Sequence, residues 1–195
     1  MEGSIALACR LSVVASLAAV ALAGCGGGER QDANEPSGTF RVAVVRASFP
    51  TKQHLAQPER FVIAVRNTGR ETVPNIAVTV NSFAERSEQA GLADPERAVW
   101  IVDSSPSGGQ TAYIGTWALG RLAPGQTRRF VWRVTAVKAG THTVKWQVAA
   151  GLNGKANATL AGNRAPAGSV TVDVSEKPAQ AHVDPETGKV VRDGE

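Results

Sequence analysis

Between residues 39 and 174 apolar and polar residues alternate with a period of two, the mark of strands with one buried face. Phe40, Val42 and Val44 share a side of a first strand, Phe61, Ile63 and Val65 of a second, and Ile76, Val78 and Val80 of a third. A fourth segment covers 99–103 and a fifth 111–119. Phe130, Trp132, Val134 and Ala136 mark a long sixth strand. Val144, Trp146 and Val148 mark a seventh, and Val170, Val172 and Val174 an eighth. Their neighbours are mostly polar: Arg129 and Arg133, Lys145 and Gln147, Thr171 and Asp173. One dry and one wet face per strand predicts an antiparallel β-sandwich.

Turn chemistry separates the runs: Asn67-Thr68-Gly69, Ser107-Gly108-Gly109, Pro124-Gly125, Ala139-Gly140 and Asn153-Gly154. Seven or eight short strands with this punctuation predict an immunoglobulin-like, all-β sandwich over residues 39–175. The one helical candidate is the polar segment 84–98, interrupted by Asp94-Pro95. Residues 151–168 form a long connection in which Asn153-Gly154 fits a small hairpin with a type I′ turn. Residues 176–195 are polar, with Asp184-Pro185-Glu186-Thr187-Gly188 as a strong turn between Val183 and Val190-Val191. An isolated two-stranded hairpin is marginal in water, so this stretch is expected to be a mobile tail.

The amino-terminal residues follow a different rule. Arg10 precedes the small, apolar run 11–23, whose thirteen residues are too few for a bilayer-spanning helix of about 20. The run has the length of a secretory h-region. It ends in Leu22-Ala23-Gly24-Cys25, which resembles the lipobox of bacterial lipoproteins. That resemblance implies a lipoprotein signal peptide over 1–24, a diacylglyceryl group on Cys25, and cleavage that leaves Cys25 first. The chain would then be extracytoplasmic and lipid-anchored to a bacterial membrane, at the cell surface or in the periplasm. Cleavage also removes Cys9, so no intramolecular disulfide is expected. Gly26-Gly27-Gly28 and the polar residues through Gly38 read as a flexible tether, 25–38.

Three short stretches carry a second resemblance. Val65-Arg66-Asn67-Thr68-Gly69, Leu122-Ala123-Pro124-Gly125-Gln126 and Ala139-Gly140-Thr141-His142-Thr143-Val144 look like the turn motifs of bacterial CARDB-type and related immunoglobulin-like surface modules. The resemblance covers about residues 39–175. It implies a binding or scaffolding module with no shared active site. Two features depart from expectation. No Trp lies on the third strand with a disulfide to cover, and His142 stands where the pattern has Tyr. The parity of His142 points it inward, where a ring nitrogen bonds nearby backbone; the rival reading is a pH-sensing or metal role.

Composition narrows the chemistry. Apolar residues make up 43% and charged residues 19%, which excludes wholesale disorder. Two Cys and three His leave little for a metal site, and no catalytic or nucleotide-binding motif is present. His54, His142 and His182 have no nucleophile placed beside them in sequence, so no enzyme, metal or cofactor is expected. The net charge of +4 comes with 15 Arg against 6 Lys. An exported address argues against nucleic acid as partner.

Two sets of side chains are candidates for binding. The second and sixth strands should be neighbours in one sheet. Their outward positions are Arg60, Val62, Ala64 and Arg66 on one, and Arg129, Val131 and Arg133 on the other. The expectation is four Arg around a small apolar centre, either a solvated face or a docking face for anionic lipid or a wall polymer. Trp132 and Trp146 have core parity, whereas Trp100, Tyr113 and Trp117 fit either core pairing across a hairpin or an aromatic platform for a glycan or small ligand. A lipid-anchored binding or scaffolding module is therefore expected. The alternatives are a glycan- or small-ligand-binding lipoprotein and an accessory subunit of an envelope protein complex.

Overall fold

The computed structural model describes residues 32–85 and 98–192. The signal segment, Cys25 and most of the helical candidate lie outside these residues. No helix occurs among the described residues, and so none is long and apolar enough to cross a membrane.

Period-two alternation yields the strands β1 (Gly38–Ser48), β2 (Lys52–Leu55), β3 (Pro58–Asn67), β4 (Ala77–Val80), β5 (Phe83–Glu85), β6 (Trp100–Ser104) and β7 (Gln110–Tyr113). They continue with β8 (Thr116–Ala118), β9 (Thr127–Ala136), β10 (Gly140–Ala149), β11 (Ala156–Thr159), β12 (Ala167–Pro178), β13 (Ala181–Val183) and β14 (Val190–Arg192). Two six-stranded sheets result, in the orders β11-β1-β3-β9-β6-β5 and β2-β12-β10-β4-β8-β7, with β13-β14 as a separate hairpin. Most pairs are antiparallel; β1/β11, β2/β12 and β5/β6 are parallel. The fold is an immunoglobulin-like all-β sandwich.

The extra strands are short edge pieces that alternation alone does not mark. Three sequence-based expectations change with them. The fifth segment is split into β7 and β8 by a turn at Ile114-Gly115, where Gly115 takes a φ of 69°. It is not the hairpin partner of the fourth segment: β6 pairs with β9 in one sheet, and β8 pairs with β4 in the other. The 151–168 connection holds no type I′ hairpin. Of Asn153 and Gly154 only Gly154 has a positive φ, whereas a type I′ turn needs both, and Asn153 Oδ1 accepts from Lys155 N (2.8 Å). The connection turns instead at Gly162-Asn163, with φ of 78° and 58° and Asn163 N donating to Leu160 O (3.1 Å). β11 then runs parallel to β1, a pairing no hairpin can make.

The core is aromatic. Trp132 is fully buried, stacked on Phe130 (centroids 5.8 Å apart) and edge-on to Trp117 (5.4 Å). Phe61 lies 5.3 Å from Trp132, and Phe49, Phe83 and Trp100 close the cluster. Trp146 is also buried. Such rings bury on the order of 200 Å² each, so a domain of this size is held together without a disulfide.

The ends of the domain differ from the expected boundaries. β12 runs to Pro178, and β13 and β14 pair around the Asp184 turn. Upstream, residues read as tether are built into the body. The Asp32 carboxylate accepts from Tyr113 Oη (3.0 Å), and its carbonyl accepts from Asn153 Nδ2 (2.8 Å). Glu35 Oε2 accepts from the backbone N–H groups of Leu152 (2.6 Å) and Asn153 (3.2 Å).

Candidate functional site

The β3–β9 pair places the Arg residues. Arg60 stands opposite Arg133, Val62 opposite Val131, Ala64 opposite Arg129, and Arg66 opposite Thr127. All four Arg are exposed on the outer face of their sheet. The buried pairs Phe61–Trp132 and Ile63–Phe130 fix this register, and the directly opposed like charges of Arg60 and Arg133 are a cost it carries.

A fifth cation joins them. β1 shifts register between Val44 and Arg46, and Arg46 then stands opposite Ala64. Strict alternation from Phe40 would have turned Arg46 inward with Val44. The bulge inserts one residue and reverses the parity beyond it. Arg46 and Arg129 thus flank the small Ala64 from both sides, two strand spacings or about 10 Å apart.

The apolar centre expected inside the Arg rim is covered. Val62 and Ala64 are only 5% and 4% exposed, and β3 is buried on both faces from Phe61 to Val65. A groove of about 470 Å³ crosses this face, lined by Arg46, Ser48, Arg60, Val62 and Arg129 with Glu59 also in its wall. Long Arg side chains cover apolar surface with their stems while keeping their heads in water. No carboxylate stands opposite any of the five Arg in the strand register. Asp103, the bulged residue of β6 next to Ser104, which is the register partner of Arg133, accepts from Thr135 Oγ1 (2.6 Å). The arrangement presents several planar guanidinium forks that match phosphate or carboxylate geometry.

The aromatic platform does not form. Trp100 and Trp117 are 0% and 1% exposed because their strands lie in different sheets and face the same core. Trp100 Nε1 donates to Gln53 Oε1 (2.8 Å), and Trp117 Nε1 donates to Ser105 Oγ (3.2 Å). Tyr113 alone of the three reaches solvent.

The His residues are placed by backbone bonds. His142 Nε2 lies 3.1 Å from Lys138 O and 3.0 Å from Ala139 O, so it carries a proton and ties down the β9–β10 turn, as its parity implied. Its ring packs edge-on to Trp100. His54 is in β2 with Nδ1 3.0 Å from Lys177 O. His182 is in β13. Among the described residues no group of three or more His, Cys, Asp or Glu converges to hold a metal.

No family model and no curated protein matches the chain. Solved structures do resemble it. The CARDB domain of a Pyrococcus furiosus protein, determined in complex with di-metal ions, is similar at 13% identity and a TM-score of 0.42, over 70% of this chain and 86% of that one. Native alpha-2-macroglobulin from Escherichia coli is similar at 13% identity and a TM-score of 0.45, over 77% of this chain and 21% of the other. A β-glucosidase from Listeria innocua is similar at 10% identity and a TM-score of 0.34, over 71% of this chain and 16% of the enzyme. These are likenesses of strand arrangement, and no residue role follows from them.

Proposed function

We propose that the protein is a lipid-anchored, extracytoplasmic module that binds or scaffolds without catalysis, docking through the outer β1–β3–β9 face onto an anionic surface of the envelope. The opposed Arg60–Arg133 pair carries this reading. A like-charge register on an exposed face costs stability. Dense phosphate or carboxylate groups would remove that cost by neutralising both heads. Lipid headgroups and wall polymers share this chemistry. An anchor at Cys25, supported by the lipobox, would hold the face at high local concentration near such a surface. An apolar protein interface is less well supported here, since Val62 and Ala64 are covered.

The test uses the chain from residue 26 onward, sedimented with anionic vesicles, zwitterionic vesicles or purified anionic wall polymer. Binding to an anionic surface that weakens with salt and is lost in the double variant Arg129→Glu, Arg133→Glu supports the reading. Undiminished binding by the double variant, or binding to none of these surfaces, overturns it. Anchoring is tested separately, by fatty-acid labelling of intact cells and its loss in Cys25→Ser.

A further inference from the structure

We infer that the tip of the β7–β8 hairpin is a second membrane contact, with Ile114 seated in the headgroup–acyl boundary of the bilayer that anchors the chain. This rests on the lipid-anchor reading above.

The tip is chemically out of place. Ile114 is 100% exposed and Tyr113 beside it is 47% exposed. Turn positions of this kind favour Gly, Asn, Asp, Ser or Pro. The turn itself explains Gly115, whose φ is 69° and where an added Cβ would lie 2.9 Å from Val80 O. It gives no reason for an Ile in front of it.

The tip is also tied to Asp32, the first residue that the structure describes. Tyr113 Oη donates to the Asp32 carboxylate, and Asp32 is itself buried. Glu35 and Asn153 hold the same segment against the 151–155 loop. Six residues lie between Cys25 and Asp32, which makes seven Cα-to-Cα steps. Fully extended they span at most about 25 Å, less than the ten-residue strand β10 at about 33 Å. An acylated Cys25 therefore keeps Asp32, and the tip bonded to it, within a short reach of the bilayer. Tyr places its ring at the level of the headgroups, and an aliphatic neighbour reaches just below them. The lipid interface is thus the occupant that the chain length, the bond and the side-chain chemistry agree on.

The experiment uses the acylated full chain in vesicles, with Ile114→Cys carrying an environment-sensitive fluorophore. A second protein carries the same probe at Lys138, exposed in the β9–β10 turn at the opposite end of β10 from the 151–155 loop. The probe at 114 is expected to emit at shorter wavelength, to be quenched by nitroxide-labelled lipid and to resist aqueous iodide, while the probe at 138 does none of these. Equal iodide access at the two positions, with one label per chain, overturns the inference. A blue shift at 114 without lipid quenching also overturns it, in favour of a contact between protein copies. Two labels per chain would show that Cys25 is an unblocked thiol, which is the separate failure of the anchor reading.

Discussion

Asn67 Nδ2 donates to Leu122 O at 2.8 Å, joining two turns that are 55 residues apart in the chain. The same amide group donates to Glu71 O (2.8 Å), and Asn67 Oδ1 accepts from Gly69 N (2.9 Å). Asn67 N and O complete the junction with Gln126 O and Gly125 N. Asn67 is 1% exposed, and although Leu122 O keeps Val73 N and Gly69 N keeps Arg41 O, its removal takes away three side-chain bonds at once, each worth about 0.5–1.5 kcal/mol. Asn67→Ala should destabilise the domain by about 2–4 kcal/mol, read as a lower urea midpoint.

Trp146 and Gly168 form a second constraint. They are direct cross-strand partners on β10 and β12, and the indole covers the space where a Cβ at 168 would go. Gly168→Ala should cost about 1–3 kcal/mol by overpacking. The cost should shrink when Trp146→Phe is present as well, which a double-mutant cycle measures.

The core Trp residues should respond unequally to truncation. Trp132 Nε1 is buried without a hydrogen-bond partner, whereas Trp100 Nε1 donates to the buried Gln53. Trp132→Phe removes an unsatisfied donor along with some packing. Trp100→Phe strands the Gln53 amide oxygen. Trp100→Phe should therefore be the more destabilising by about 1–3 kcal/mol in matched denaturant titrations.

Charge reversal at the Arg face should separate stability from binding. Arg133→Glu converts the Arg60–Arg133 pair to opposite charges and should stabilise the domain by about 0.2–1 kcal/mol at low salt. The same variant should bind anionic vesicles more weakly than the native chain. A stabilised protein that loses binding cannot have lost it by unfolding.

The carboxy-terminal hairpin should depend on acid. Backbone N–H groups of Thr187 and Glu186 donate to the Asp184 carboxylate and hold its pKa below the ordinary value of 3.8. A depressed folded-state pKa gives stability that is present above the ordinary value and lost as pH falls through the folded one. Amide resonances of residues 182–191 should lose dispersion below about pH 3.8, and Asp184→Asn should flatten that response.

The sequence by itself determined the sandwich. Period-two alternation depends only on which side chains avoid water, and turn residues act through local φ and hydrogen bonding, so both are written along the chain. Phe61, Trp132, Trp146 and His142 fell where parity put them, and Arg60 and Arg133 met on adjacent strands. Only the tertiary structure decided the rest. A bulge at Val45 turned Arg46 outward, because one extra residue in a strand reverses every face beyond it. Trp100 and Trp117 had no legible environment until their strands were assigned to opposite sheets. Asp32 gained its role from Tyr113, 81 residues away, and such pairings are set by the global packing of strands rather than by any local pattern.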